Sequence, residues 1–180
     1  RIEQFKSRVF GIMKDATPSI ALTTSMILEE LSVKVLDPSN LRTARWFTTD
    51  YEQAVSADEW LNPTVTADDL AFLQYTSGST TVPKGVMVNH GNLMHNLNML
   101  HECFWPASDG GFVSWLPPYH DLGLIGGILL PLHLGSPVTL MAPAAFVQRP
   151  LRWLQAISRF KGAVSGGPNF AYDLCVRKIS

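Results

Sequence analysis

Five hydroxyl side chains crowd around one glycine in the run Y-T-S-G-S-T-T-V-P-K-G, from Tyr75 to Gly85. They belong to Thr76, Ser77, Ser79, Thr80 and Thr81; Gly78 lies among them, and Pro83, Lys84 and Gly85 follow. Backbone amides in a glycine-containing turn form a concave nest for anions. Hydroxyls add donors that rotate toward several oxygens, and Lys84 adds a mobile point charge suited to phosphate. Pro83 stiffens the segment and lowers the entropy lost when a ligand binds. The chemistry on offer is a polyphosphate clamp. A Ser/Thr-rich surface turn has the same composition, and on the residues alone both readings stand. The Walker loop is excluded, because Lys84 is followed by Gly85 and a strand pattern instead of Ser or Thr opening a helix. A GxGxxG pattern is absent.

A second group follows a Pro-Pro turn. His120 and Asp121 are adjacent, a pairing that could suggest acid–base work. Neighbours on an extended segment point to opposite sides, so a direct relay between them is not expected. Gly123, Gly126 and Gly127 interrupt an apolar run that would form a helix more readily without them. They permit close helix–sheet packing, or leave room for an alkyl chain. Gly166 and Gly167 invite the same two readings. Cys103 and Cys175 lack CxxC or Cys/His ligand spacing and read as two buried, reduced thiols of a cytosolic protein, with a disulfide as the alternative. The scattered tryptophans read as packing, not as a stacking platform for bases.

These groups need elements to hold them. Ile2, Phe5, Val9, Ile12 and Met13 recur at helical spacing, predicting an amphipathic helix over 2–15. Strands are expected at 19–24 (buried), 45–48, 70–75, 85–88, 112–116, 137–141 and 163–165. Helices are expected at 25–31, 91–104, 122–134 (ending at Gly135) and 149–160, the last with Leu151, Leu154 and Ile157 on one face. A final helix starts at Pro168, a position that tolerates proline. Residues 49–69 read as a surface connection. The hydroxyl loop therefore sits between two strands and is anchored at both ends. The βαβαβα order implies an α/β fold with a mainly parallel sheet flanked by helices. No linker divides the chain, so one domain is expected.

The bulk numbers narrow the function classes. A chain of 180 residues can bury a core. Its formal net charge of −1 shows none of the basic excess of a nucleic-acid binder. A hydrophobic fraction of 46% with five Trp and nine Phe argues against disorder. The longest apolar run, 122–134, falls short of the about 20 residues a membrane span requires. The chain starts at Arg1 without an initiator Met or a signal-peptide pattern and reads as a piece of something longer.

Y-T-S-G-S-T-T-V-P-K-G-V resembles the phosphate loop of the adenylate-forming enzymes. V-N-H-G-N-L at 88–93 and W-L-P-P-Y-H-D-L-G-L-I-G-G at 115–127 resemble the segments that follow it there. S-G-G-P-N-F-A-Y-D-L-C at 165–175 resembles the fatty acyl-AMP ligases in particular. The resemblance runs from about 70 to 180 and is looser before that. It implies a part of that superfamily's large N-terminal domain, with the C-terminal lid absent. It also implies a two-step enzyme: a fatty acid carboxylate attacks the α-phosphorus of ATP, and the acyl group then passes to a phosphopantetheine thiol. The acceptor would be an acyl carrier protein or a polyketide synthase module. Thr76, Ser77, Gly78, Ser79, Thr80, Thr81, Lys84 and Gly85 would bind the phosphates, bridged by Mg²⁺. His120 would lie beside the reacting carboxylate and act through positioning and electrostatics. Asp121, Gly123, Gly126, Gly127, Ser165, Gly166 and Gly167 would border the acyl chain, in a tunnel lined by residues such as Leu124, Ile125 and Ile128. The adenine-binding segment, the magnesium-binding Glu motif and the lid lysine would lie beyond Ser180, so these 180 residues alone are expected to be inactive. A long-chain acyl-CoA ligase is the runner-up, and a noncatalytic nucleotide- or lipid-binding scaffold is the alternative of another class.

Overall fold

The fold, a computed structural model, is described for residues 2–34, 44–50, 57–76, 84–104 and 110–178. It divides into two compact units, Arg1–His90 and Gly91–Ser180.

In the first unit, α1 (Ile2–Ala16) is followed by β1 (Ile20–Thr23), α2 (Ser25–Lys34) and β2 (Arg45–Thr48). Thr17, at a positive φ of 43°, and Pro18 end α1. β1 and β2 pair in parallel, from Ile20 opposite Arg45 to Thr23 opposite Thr48. The start of α2 is capped from a distance: both carboxylate oxygens of Asp50 accept from the Ser25 amide, at 2.9 and 3.0 Å, and one also accepts from the Ser25 hydroxyl. The hydroxyl first and the amide second hold the Asp50 carboxyl below the usual carboxylate range. The expectation that β1 is buried fails. Ile20 is 56% and Leu22 70% exposed, and among the described residues β1 has only β2 as a strand neighbour.

β3 (Leu70–Thr76) and β4 (Lys84–Asn89) form an antiparallel pair that ends with Tyr75 opposite Gly85 and Thr76 opposite Lys84. This departs from the mainly parallel sheet expected. The reason is chain length: the connection, residues 77–83, is too short for the crossover that a parallel neighbour needs.

The second unit is built around β5 (Phe112–Ser114), whose three residues are all buried. β5 pairs in parallel with β6 (Val138–Leu140) on one side and makes a parallel bridge to Val164 on the other. Alternation along the strand sends successive side chains to opposite faces. Phe112 packs with Leu97 of α3 (His90–Phe104) and with Leu130. Val113 and the following Trp115 pack on the other side with Phe146, Trp153, Ala171 and Cys175. Those come from α5 (Pro143–Gln148), α6 (Leu151–Phe160) and α7 (Asn169–Lys178). Trp115 stacks on Phe146 with ring centroids 3.9 Å apart and meets Trp153 edge-on at 5.9 Å. Aromatic pairs of this kind add about 0.5–1.5 kcal/mol beyond the area they bury. The α/β class with helices on both faces of a parallel core is as expected.

Three local expectations are corrected here. Residues 122–134 do not form one α-helix: Leu122–Leu129 is a π-helix, and only Leu130–His133 (α4) is α-helical. Proline 131 has no N–H, and its ring crowds the carbonyl four residues back. The chain widens ahead of it, and the Leu130 amide reaches back five residues to the Ile125 carbonyl. On α6 the core face is Trp153, Ala156 and Ile157, with Leu154 41% exposed, because the larger indole takes the interior position. Both cysteines are free, but Cys103 is exposed and only Cys175 is buried, where burial pushes its thiol up. As expected, the α4 segment stops at Gly135, which has a positive φ of 61°.

Candidate active site

The hydroxyl loop springs from the β3–β4 pair. Ser77, Gly78, Ser79, Thr80 and Thr81 lie outside the described residues, as does the side chain of Thr76. What is described is the stem. Lys84 is the first residue of β4 and is exposed. Gly85 lies under the Tyr75 ring: a Cβ there would stand 3.0 Å from the ring's Cζ. An aromatic laid across a cross-strand glycine fixes register. The Tyr75 hydroxyl in turn donates to Asp15 Oδ2 of α1 at 2.5 Å. That bond first, then burial and the negative charge of Asp15, pushes the phenol up to about 12, so it keeps its proton throughout the neutral range. Sequence reasoning missed this brace, because its two ends are 60 residues apart.

His120 and Asp121 converge, contrary to the expectation that they face opposite ways. The chain turns at this point, with the His120 amide donating to the Pro117 carbonyl at 3.1 Å. Asp121 is already helical, at φ −50° and ψ −49°. Its Oδ1 lies 2.5 Å from His120 Nδ1 and accepts from the Leu122 amide at 2.6 Å. Asp121 therefore caps the π-helix and orients the imidazole at once. Both side chains are about two-thirds exposed, at 66% and 63%.

Within the same unit lies a cavity of about 610 Å³, with walls that include Leu100, Ile125, Gly126, Leu130, Val164 and Gly166. That size falls in the range of small-molecule sites. Asp121 and Asn96 also border it and are its acidic and amide groups. Of the three aliphatic residues expected to line an acyl tunnel, Ile125 does so, and Leu124 and Ile128 are not on its wall.

The glycines separate into two kinds. A Cβ on Gly123 would stand 2.0 Å from the Pro117 carbonyl oxygen, and one on Gly127 would stand 2.7 Å from Ser114 Oγ. On Gly167 it would stand 2.8 Å from the Trp115 ring. Those three permit close packing. A Cβ on Gly126 meets only Leu122 Cδ1, at an ordinary 3.7 Å, and one on Gly166 meets nothing within 4 Å. Gly126, Gly127, Gly166 and Gly167 all border the cavity, and at Gly126 and Gly166 the missing side chain leaves it open. Ser165, on the same wall, accepts from Trp153 Nε1 at 2.7 Å and donates to the Val113 carbonyl at 2.6 Å.

The family model described as AMP-binding enzyme matches residues 5–179. The chain is 39% identical over 181 residues to JamA, a medium-chain fatty acid–acyl-carrier-protein ligase of Moorena producens, matching 100% of this chain and 31% of that protein. Its fold superposes on the crystal structure of a fatty acid AMP ligase from Legionella pneumophila with a TM-score of 0.85, at 37% identity over 98% of this chain and 30% of the other. A fatty acyl-adenylate ligase from L. pneumophila, in complex with acyl adenylate and pyrophosphate, gives 0.82 at 38% identity over 97% and 30%. The chain thus spans about a third of the length of the proteins it resembles. With the strand-anchored hydroxyl loop and the β5-centred core both inside the matched span, the chain belongs to the AMP-binding enzyme family.

Proposed function

We propose that the protein of which this chain is part activates a fatty acid as its acyl-adenylate and hands the acyl group to the phosphopantetheine thiol of an acyl carrier protein or polyketide synthase module. The observation that carries this reading is the largely apolar cavity, kept open by Gly126 and Gly166 and bordered by Asp121. An alkyl chain gains about 0.8 kcal/mol for each methylene it buries there. His120, held against Asp121, acts beside the carboxylate through positioning and electrostatics. A carboxylate is already ionised at neutral pH and needs no base.

Thr76, Ser77, Gly78, Ser79, Thr80, Thr81 and Lys84 hold the β- and γ-phosphates of ATP in this reading. Donors fixed where charge builds on departing pyrophosphate lower the barrier most. Gly85 serves the loop indirectly, as the seat of Tyr75. Mg²⁺ would neutralise charge on the phosphate oxygens. Among the described residues no three His, Cys, Asp or Glu side chains are grouped to hold a metal ion, so no step is assigned to a metal bound by them. Among the same residues no helix is long and apolar enough to cross a membrane. A cytoplasmic enzyme that does not bind nucleic acid fits the reduced thiols and the net charge.

Fatty-acid-dependent exchange of pyrophosphate into ATP by the full-length protein tests the first step. Offering a carrier protein and coenzyme A separately tests the second. Exchange with fatty acid and transfer to the carrier support the proposal. Transfer to coenzyme A alone would replace it with an acyl-CoA ligase, and nucleotide binding without exchange would replace it with a scaffold.

A further inference from the structure

We propose that Trp153 and Ser165 form a strut that holds the Gly166–Gly167 wall of the cavity in place, and that Ser165 acts as a positioning residue without contacting the ligand. A serine hydroxyl has one proton and two lone pairs. The proton is committed to the Val113 carbonyl of β5 at 2.6 Å, and one lone pair to the Trp153 indole N–H at 2.7 Å. What remains can only accept. An ionised carboxylate, the carbonyl of an acyl-adenylate and an alkyl chain offer no proton, so Ser165 has nothing to exchange with them.

Its neighbours explain what the hydroxyl does instead. Trp153 is 2% exposed and wedged among Trp115, Phe146 and Tyr172, with ring centroids 5.5–5.9 Å away, so its N–H direction is set by packing. The Val113 amide donates to the Val164 carbonyl at 3.0 Å, which ties the preceding residue to the same strand. Gly167 rests on the Trp115 ring. The segment 164–167 is therefore fastened from behind by β5, α6 and Trp115, while nothing stands in front of Gly166. This fastening fixes how far the wall stands from Ile125 and Gly126 across the cavity.

The inference rests on the acyl-site reading for its kinetic consequence but not for its geometry. Full-length Ser165→Ala, Trp153→Phe, the double variant and Ser165→Thr are compared by pyrophosphate exchange. Loss of one shared hydrogen-bonded strut is expected to raise the fatty acid KM about two- to tenfold in either single variant. The ATP KM should stay unchanged, the double variant should be no worse than the singles, and Ser165→Thr, which keeps the hydroxyl, should recover. A large loss in Ser165→Ala with Trp153→Phe unaffected would indicate ligand contact and overturn the proposal. So would independent, multiplying effects, or no effect at all. The Trp153 indole N–H resonance supplies a readout free of turnover: it should shift in Ser165→Ala and return in Ser165→Thr, and an unmoved resonance overturns the strut. Wild-type protein that exchanges no pyrophosphate with any fatty acid counts against the proposed function, and the resonance then decides the strut alone.

Discussion

A leucine at position 126 should shorten the fatty acid that the full-length protein accepts. A Cβ on Gly126 makes only an ordinary contact with Leu122 Cδ1, at 3.7 Å, so the added branch is free to occupy the cavity. If that branch displaces about two to three methylenes of a bound chain, at ~0.8 kcal/mol each, the loss is ~1.6–2.4 kcal/mol. This corresponds to roughly 15- to 60-fold in kcat/KM for palmitic acid. Octanoic acid, which need not reach the blocked end, should lose far less, and the ATP KM should not move. Gly126→Ala is the control, since it adds a methyl where there is room and removes a helix-disfavouring glycine. The assay is fatty-acid-dependent pyrophosphate exchange across a series of chain lengths. Undiminished activity of Gly126→Leu on palmitic acid would refute the reasoning, because the filled space would then not be the acyl site.

Other outcomes follow from the same geometry. Gly127→Ala pushes a methyl to within 2.7 Å of Ser114 Oγ and should cost about 1–3 kcal/mol, seen as a lowered Tm, in contrast to Gly126→Ala. Asp121→Ala removes the side-chain acceptor from the Leu122 amide and should destabilise by about 1 kcal/mol, whereas Asp121→Asn, which can still accept, should retain most of it. Asp50 has a carboxyl held low by Ser25, so its contribution is complete above its unfolded value of 3.8 and fades as pH falls through its lower folded value. The Tm of Asp50→Ala should therefore fall below that of wild type at neutral pH and converge with it in acid. Parallel Tm curves across that range would remove Asp50 from the acid response.

The elements legible in the sequence were those governed by local periodicity. β2 matches its expected span, and α1 and the helix after β4 differ by a residue at an end. Both ends of the hydroxyl loop were placed on strands, as found. The antiparallel turn of that pair could also have been read, since residues 77–83 are too few for a crossover. Pro131 could have warned that the apolar run would not stay α-helical, but the close approach of Gly123 to Pro117 and of Gly127 to Ser114 leaves no mark in local pattern. The convergence of His120 on Asp121 was hidden because it depends on backbone angles, not on residue type. The commitment of Ser165 to Val113, 52 residues earlier, leaves no trace in local pattern.

The central claim is that the serine/threonine loop ending at Lys84 grips the phosphates of ATP. Lys84→Ala in the full-length protein, read by pyrophosphate exchange with a saturating fatty acid, tests it most directly. Loss of a donor aimed at transition-state charge should reduce kcat by about 10²–10³, or ~2.7–4 kcal/mol, without unfolding the protein. A change of less than about tenfold would contradict the account and put the nucleotide elsewhere.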